Sequence, residues 1–199
     1  DALTQMNVAD PWKESKLFLQ ELIAEVVEEQ LGLIVGGVLD VTRAAAMHLG
    51  VVDVLARRLK SGTMEEKWKG VQAVERMGAR AAEHAPLVVQ LLTHEDESLV
   101  QAAIVALAAI GPKACDEIDA GGLDRVIVSG TEWETRAEAV RCVRAVVAVR
   151  VAQMRLESAS KHNVAADQLA SQWASVVAPA LADRHEAVRA AASRALGSL

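Results

Sequence analysis

The strongest constraint on what this chain folds into is that it repeats itself. The segment Leu99-Val100-Gln101-Ala102-Ala103-Ile104-Val105-Ala106-Leu107-Ala108-Ala109-Ile110-Gly111 lies over Val188-Arg189-Ala190-Ala191-Ala192-Ser193-Arg194-Ala195-Leu196-Gly197-Ser198-Leu199, with small and apolar residues coinciding throughout. Seven residues before each start stands a leucine, Leu92 and Leu181, and a polar turn follows it. The frame recurs at Glu66, with Leu59 before it and Val71, Val74, Met77 and Gly78 after it. It recurs at Thr135, with Val128 before and Ala139, Val140, Val143 and Val146 after. A weaker copy starts at Val41, with Ile34 before and Ala44-Ala45-Ala46, Leu49 and Gly50 after. Starts at 66, 99, 135 and 188 are 33, 36 and 53 positions apart, a helical-hairpin period with an insertion in the last copy.

Within a copy the apolar residues step by three and four, as in Ala103, Ile104, Leu107 and Ile110, which is one face of an α-helix. Shorter helices are expected ahead of each polar turn, over 51–60, 85–93, 123–129 and 164–182. Pro86 suits the first turn of its helix, whereas Pro179 falls late in a helical stretch and should kink or restart it. A helix from Trp133 to about residue 157 overruns the standard repeat, and 158–163 reads as a loop. Asp10 before Pro11 reads as a helix cap. Of the residues, 52% are hydrophobic but only 3% aromatic, with one Phe and no Tyr, so many small side chains must build the core. Helices lined by Ala and Gly approach closely, and a single hairpin buries its apolar face only against its neighbours.

The pattern of a leucine, an acidic turn, then Val-Arg-x-Ala-Ala-x-x-Ala-Leu-Gly resembles HEAT repeats and, more broadly, the HEAT and armadillo α-solenoids. Val188-Arg189, Ala191-Ala192 and Ala195-Leu196-Gly197 form the closest copy, and Leu99 to Gly111 follows with Val100 in place of the usual Arg. The copies at Glu66 and Thr135 keep the apolar frame and replace the opening Val. The resemblance implies an all-α fold, a right-handed α-α superhelix of about four to five hairpins. It covers residues 34–199, with a long helix and insertion around 133–163, and leaves 1–33 as an amphipathic amino-terminal segment or cap. The 34-residue tetratricopeptide pattern needs bulky Trp and Tyr positions that a chain without Tyr does not supply.

Catalytic and metal motifs are weak. His94-Glu95-Asp96-Glu97 sets an imidazole beside three carboxylates, yet in this frame it is the polar turn between two helices, where acidic residues favour the next N-terminus. His185-Glu186 sits in the equivalent turn without a second His four residues on, and His48, His84 and His162 are isolated. Gly32, Gly36 and Gly37 lack the Lys-Ser/Thr ending of a phosphate loop. Cys115 and Cys142 have no CxxC spacing, which points to reduced thiols inside a cell rather than a disulfide scaffold. The first residue, Asp1, fits a chain from which a presequence was removed for an organelle or export, and equally a fragment. A formal charge of −6 argues against a general nucleic-acid binder, and the longest apolar runs, 31–39 and 99–111, fall short of a membrane span.

Together these features point to a non-catalytic interaction scaffold or accessory subunit of a larger assembly, without cofactor, whose partners are other protein subunits. The alternatives are a HEAT-like helper enzyme resembling bilin lyase subunits, or an armadillo-type transport or coat adaptor that binds peptides. Candidate partner contacts are Arg141, Arg144 and Arg155, which fall within roughly a 60° sector of the long helix at about 100° per residue. Arg136 and Arg150 point elsewhere on the same wheel. Trp68 and Trp133, near the beginnings of longer helices, are further candidates, whereas Trp173, amid Ala170, Val176 and Val177, is expected to be buried. Val188, Ala192 and Leu196 are expected to face outward from the last repeat, where a partner subunit would cover them and where the isolated chain would self-associate.

Overall fold

The computed structural model describes residues 53–118, 122–157 and 163–199. The chain divides into two compact units, Asp1–Leu55 and Ala56–Leu199, and nearly all described residues lie in the second. The expected amino-terminal segment, the copy at Val41, the Gly32 to Gly37 run and most of the 158–163 loop lie outside the described residues.

Every regular element among the described residues is helical. Four long helices begin at Met64, Glu97, Trp133 and Glu186, each two residues ahead of the frame positions 66, 99, 135 and 188. They are α1 (Met64–Met77), α3 (Glu97–Ile110), α6 (Trp133–Val143) and α9 (Glu186–Leu196). Between them run α2 (Ala85–Gln90), α4 (Cys115–Ile118), α5 (Leu123–Ser129) and α8 (Val164–Val177). The long helix continues from α6 through a π-helical stretch, Arg144–Ala148, into α7 (Val149–Glu157). As Pro86 suggested, proline occupies the first turn of α2; Pro179 follows the end of α8 and lies in a 3-10 segment, Ala178–Ala182.

Local chemistry explains the starts and stops. Thr63 and Glu66 form a reciprocal capping box, the Thr63 N–H donating to Glu66 Oε2 at 2.6 Å and Thr63 Oγ1 accepting from the Glu66 N–H at 3.3 Å. Asp96 caps α3 by accepting from the Leu99 N–H at 3.0 Å. Asn163 caps α8 through the Ala166 N–H and also donates to the Met154 carbonyl at 2.8 Å, tying the overrunning end of α7 to the next helix. Gly78 and Gly111 end α1 and α3 with φ of 54° and 73°. A Cβ at Gly111 would meet nothing within 4 Å, so Gly111→Ala tests backbone strain alone. It should lower unfolding free energy by about 1–3 kcal/mol in urea titration.

Each long helix packs on the next, α1 on α3, α3 on α6 and α6 on α9. The inward stripes are Val71 and Val74; Leu99, Ala103, Ile104, Leu107 and Ile110; Ala137, Val140 and Val143; and Val188, Ala191, Ala192 and Ala195, all buried. Alanines at these contacts let backbones approach, as the aromatic-poor composition requires. The copies are not equivalent at the leucine position. Leu59 and Leu92 are buried, but Val128 and Leu181 are 65% and 45% exposed. One residue earlier, Ile127 and Ala180 are buried in their place, so the shorter helices of the last two copies enter their turns one residue out of register.

The stretch Glu97–Ile118 is long and apolar enough to cross a membrane by length and composition. Its helix α3 spends that apolar surface on α1 and α6, and Gly111 with Pro112 breaks the run into a 3-10 turn.

Candidate functional site

The most buried charged group among the described residues is Arg136, with its side chain 6% exposed. Its Nε and Nη2 donate to Asp183 Oδ2 and Oδ1 at 2.7 and 3.0 Å, a bidentate pair, and Nη1 donates to the carbonyls of Gly130 and Thr131 at 2.9 and 3.1 Å. Asp183 also accepts from the His185 N–H at 2.8 Å, so the turn that starts α9 is built around one carboxylate. The Arg136 hydrogen bonds hold the Asp183 carboxyl below the usual carboxylate range and raise the already high Arg136 pKa. On the helical wheel Arg136 points away from the other arginines, and that direction is inward. The signal for it in the sequence is an arginine one helical turn from Ala139 and Val140, in a segment that is otherwise inward-facing.

The arginine ridge is not one ridge. Arg141 pairs with Glu138 one turn earlier, and Arg144 is exposed. Between Arg144 and Arg155 lies the π-helical stretch, which inserts one residue and turns the remaining helix by about 100° relative to an unbroken α-helix. Arg155 therefore leaves the sector and bonds along the surface, donating to Asp167 Oδ1 at 3.0 Å and to the Leu199 carbonyl at 3.1 Å. The overrun of the long helix is thus a strut for α8 and the residues that follow α9. The same π turn keeps Val146, Val147 and Val151 on the buried side.

Trp68 and Trp133 are half-buried and pack against the core. The Trp133 ring stacks on His185, with centroids 3.8 Å apart and planes 14° from parallel, joining the starts of α6 and α9. Trp173 is buried, as its apolar neighbours suggested. The expectation for α9 is corrected: Val188, Ala192 and Ala195 are fully buried within the chain, and Leu196 is half-buried against the same core. Their stripe faces α6 and α8 because those helices precede it in the stack. The outward side of α9 instead carries Glu186, Arg189, Ser193 and Arg194, a polar face. Self-association through the apolar stripe would require unpacking the last helix.

The turns place an open cleft of about 270 Å³ between successive copies. One wall is Thr93, His94, Glu95 and Glu97; the other is Arg125, Ser129 and Thr131; Thr135 lies at the floor with Leu92, Val100 and Val126. Glu97 Oε1 accepts from the Glu132 N–H at 2.8 Å, which fixes one wall to the next turn. Among the described residues no group of three or more His, Cys, Asp or Glu is placed to hold a metal ion. The thiols are poor nucleophiles: Cys115 and Cys142 are buried, and burial pushes the Cys142 thiol far up.

No family model matches the chain, and no curated protein matches it. Among solved structures, the crystal structure of an engineered protein is similar, with 22% sequence identity and a TM-score of 0.53. The match covers 77% of this chain and 64% of that one, so this chain spans less than two thirds of the length of that structure. At that identity the likeness is one of helical fold alone.

Proposed function

We propose that the protein is a non-catalytic interaction scaffold or accessory subunit, built as a HEAT-like right-handed superhelix. The observation that carries this reading is the serial packing of α1, α3, α6 and α9, each begun at the same point of the sequence frame. Such a stack offers a long surface whose neighbouring turns share small clefts, and it suits other protein chains as partners. The exposed Arg144, where α6 gives way to the π turn, and the polar outward side of α9 are surfaces a partner meets; the apolar stripe of α9 is already occupied. Affinity purification of the tagged full chain from its native source, followed by mass spectrometry, tests the reading. A stoichiometric companion protein is expected, and repeated recovery of the chain alone would remove the proposal.

A further inference from the structure

The cleft between the turns has a directional hydrogen-bonding character. Thr93 Oγ1 donates its proton to the Gln90 carbonyl at 3.0 Å, and Ser129 Oγ donates to the Arg125 carbonyl at 2.8 Å. Both hydroxyls have spent their protons on their own helices, so they present lone pairs to the cleft. Glu95 is exposed beside them, and Glu97 keeps one carboxylate oxygen beyond the bond to Glu132. The lining therefore carries two carboxylates against one guanidinium, Arg125, on a chain whose formal charge is −6. A separate observation lies at the floor. Thr135 is 2% exposed, lines the cleft, and its hydroxyl makes no hydrogen bond to any other described residue.

We infer that this cleft receives the guanidinium of an arginine side chain from a partner protein. The site is rich in acceptors, net negative and without a metal-binding cluster among the described residues, and the Thr135 hydroxyl, open to the cleft from an otherwise buried residue, is left for a donor that enters from outside. Acceptors spread over two walls and a floor match the planar guanidinium, with its five N–H groups in a fixed fork, better than the compact ammonium of lysine. The apolar floor of Leu92, Val100 and Val126 suits the methylene stem behind the charge. Arg125 stands at the rim as the one unfavourable guanidinium, and Glu95 as the principal favourable charge.

The inference rests on the interaction reading for the origin of the arginine, but its test does not. The full chain, labelled with nitrogen-15, is titrated with N-acetyl-arginine amide, N-acetyl-lysine amide and N-acetyl-glutamate amide while the amide signals of Thr93, Glu95, Gly130 and Thr131 are followed. Saturable shifts confined to these turns are expected with the arginine probe. Glu95→Gln should weaken that binding by about tenfold, and Arg125→Gln should strengthen it by a factor of the same order. Opposite signs from two surface charges are not produced by loss of folding. Absence of saturable shifts, equal binding of the lysine or glutamate probe, or weaker binding in Arg125→Gln would overturn the assignment. Such a failure leaves the scaffold reading to be judged by its companion protein alone.

Discussion

Arg136→Ala is expected to destabilise the protein by about 3–5 kcal/mol, because it strands a nearly buried carboxylate and two carbonyls at once. The side chains of Arg136 and Asp183 are only 6% and 12% exposed, so water does little to replace the lost partner. Asp183→Asn keeps the shape and the acceptor for the His185 N–H, but it turns an amide N–H toward Arg136 Nε and removes the counter-charge, so it should cost a comparable amount, about 3–5 kcal/mol. Arg136→Lys should recover little, since an ammonium cannot make the bidentate pair and reach the Gly130 and Thr131 carbonyls together. Equilibrium urea denaturation of the single and double variants closes a cycle. A coupling energy near zero would show that the two groups do not depend on each other.

The same pair fixes an acid limit. Arg136 holds the Asp183 carboxyl below its unfolded value, so folding gains from this group above the ordinary carboxylate pKa of about 3.9 and loses the gain as pH falls through the lower folded value. The wild type should therefore lose stability more steeply than Asp183→Asn between about pH 5 and the acid limit, and the two curves should converge at low pH. Parallel curves over that range would assign the acid sensitivity to other carboxylates.

The long helices are legible in the sequence because their apolar stripes are uninterrupted by turn chemistry. Ala103, Ile104, Leu107 and Ile110 announce α3 by spacing alone, and each long helix starts a constant two residues before the frame position. What the pattern does not carry is direction in space. Val188 and Ala192 make an apolar stripe whether they face a missing neighbour or the preceding helix, and only the packing of α6 and α8 decides for the second. Nor does an even 100° wheel contain the π turn, so it groups Arg155 with Arg141 and Arg144 although Arg155 belongs to the strut on Asp167. For Arg136 the inward direction is legible from Ala139 and Val140 one turn on, but its partner is not. A carboxylate 47 positions away leaves no local trace of the pairing in the sequence. The cleft combines residues from two successive turns, and its character depends on where the Thr93 and Ser129 hydroxyls send their protons.

Leu107→Ala should cost about 2–5 kcal/mol, a loss large enough to read region by region. Leu107 is completely buried in α3, the helix that packs on both α1 and α6, so the cavity opens beside two interfaces. Val188→Ala in α9 removes fewer atoms from a helix that follows α6 in the order of packing, and should cost less. The consequence differs between a closed core and a row of stacked units. In one closed core Leu107→Ala shifts a single transition. In a row, weakening the α3 contacts lets the α1 side open before the α6 to α9 side, because each retains its own nearest-neighbour contacts. Trp68 reports the first side and Trp173 the second. In Leu107→Ala chains that keep only one of these tryptophans, with the others changed to Phe, fluorescence should give two urea midpoints, with Trp68 released first. Coincident midpoints in both chains would mean that the four long helices share one cooperative core.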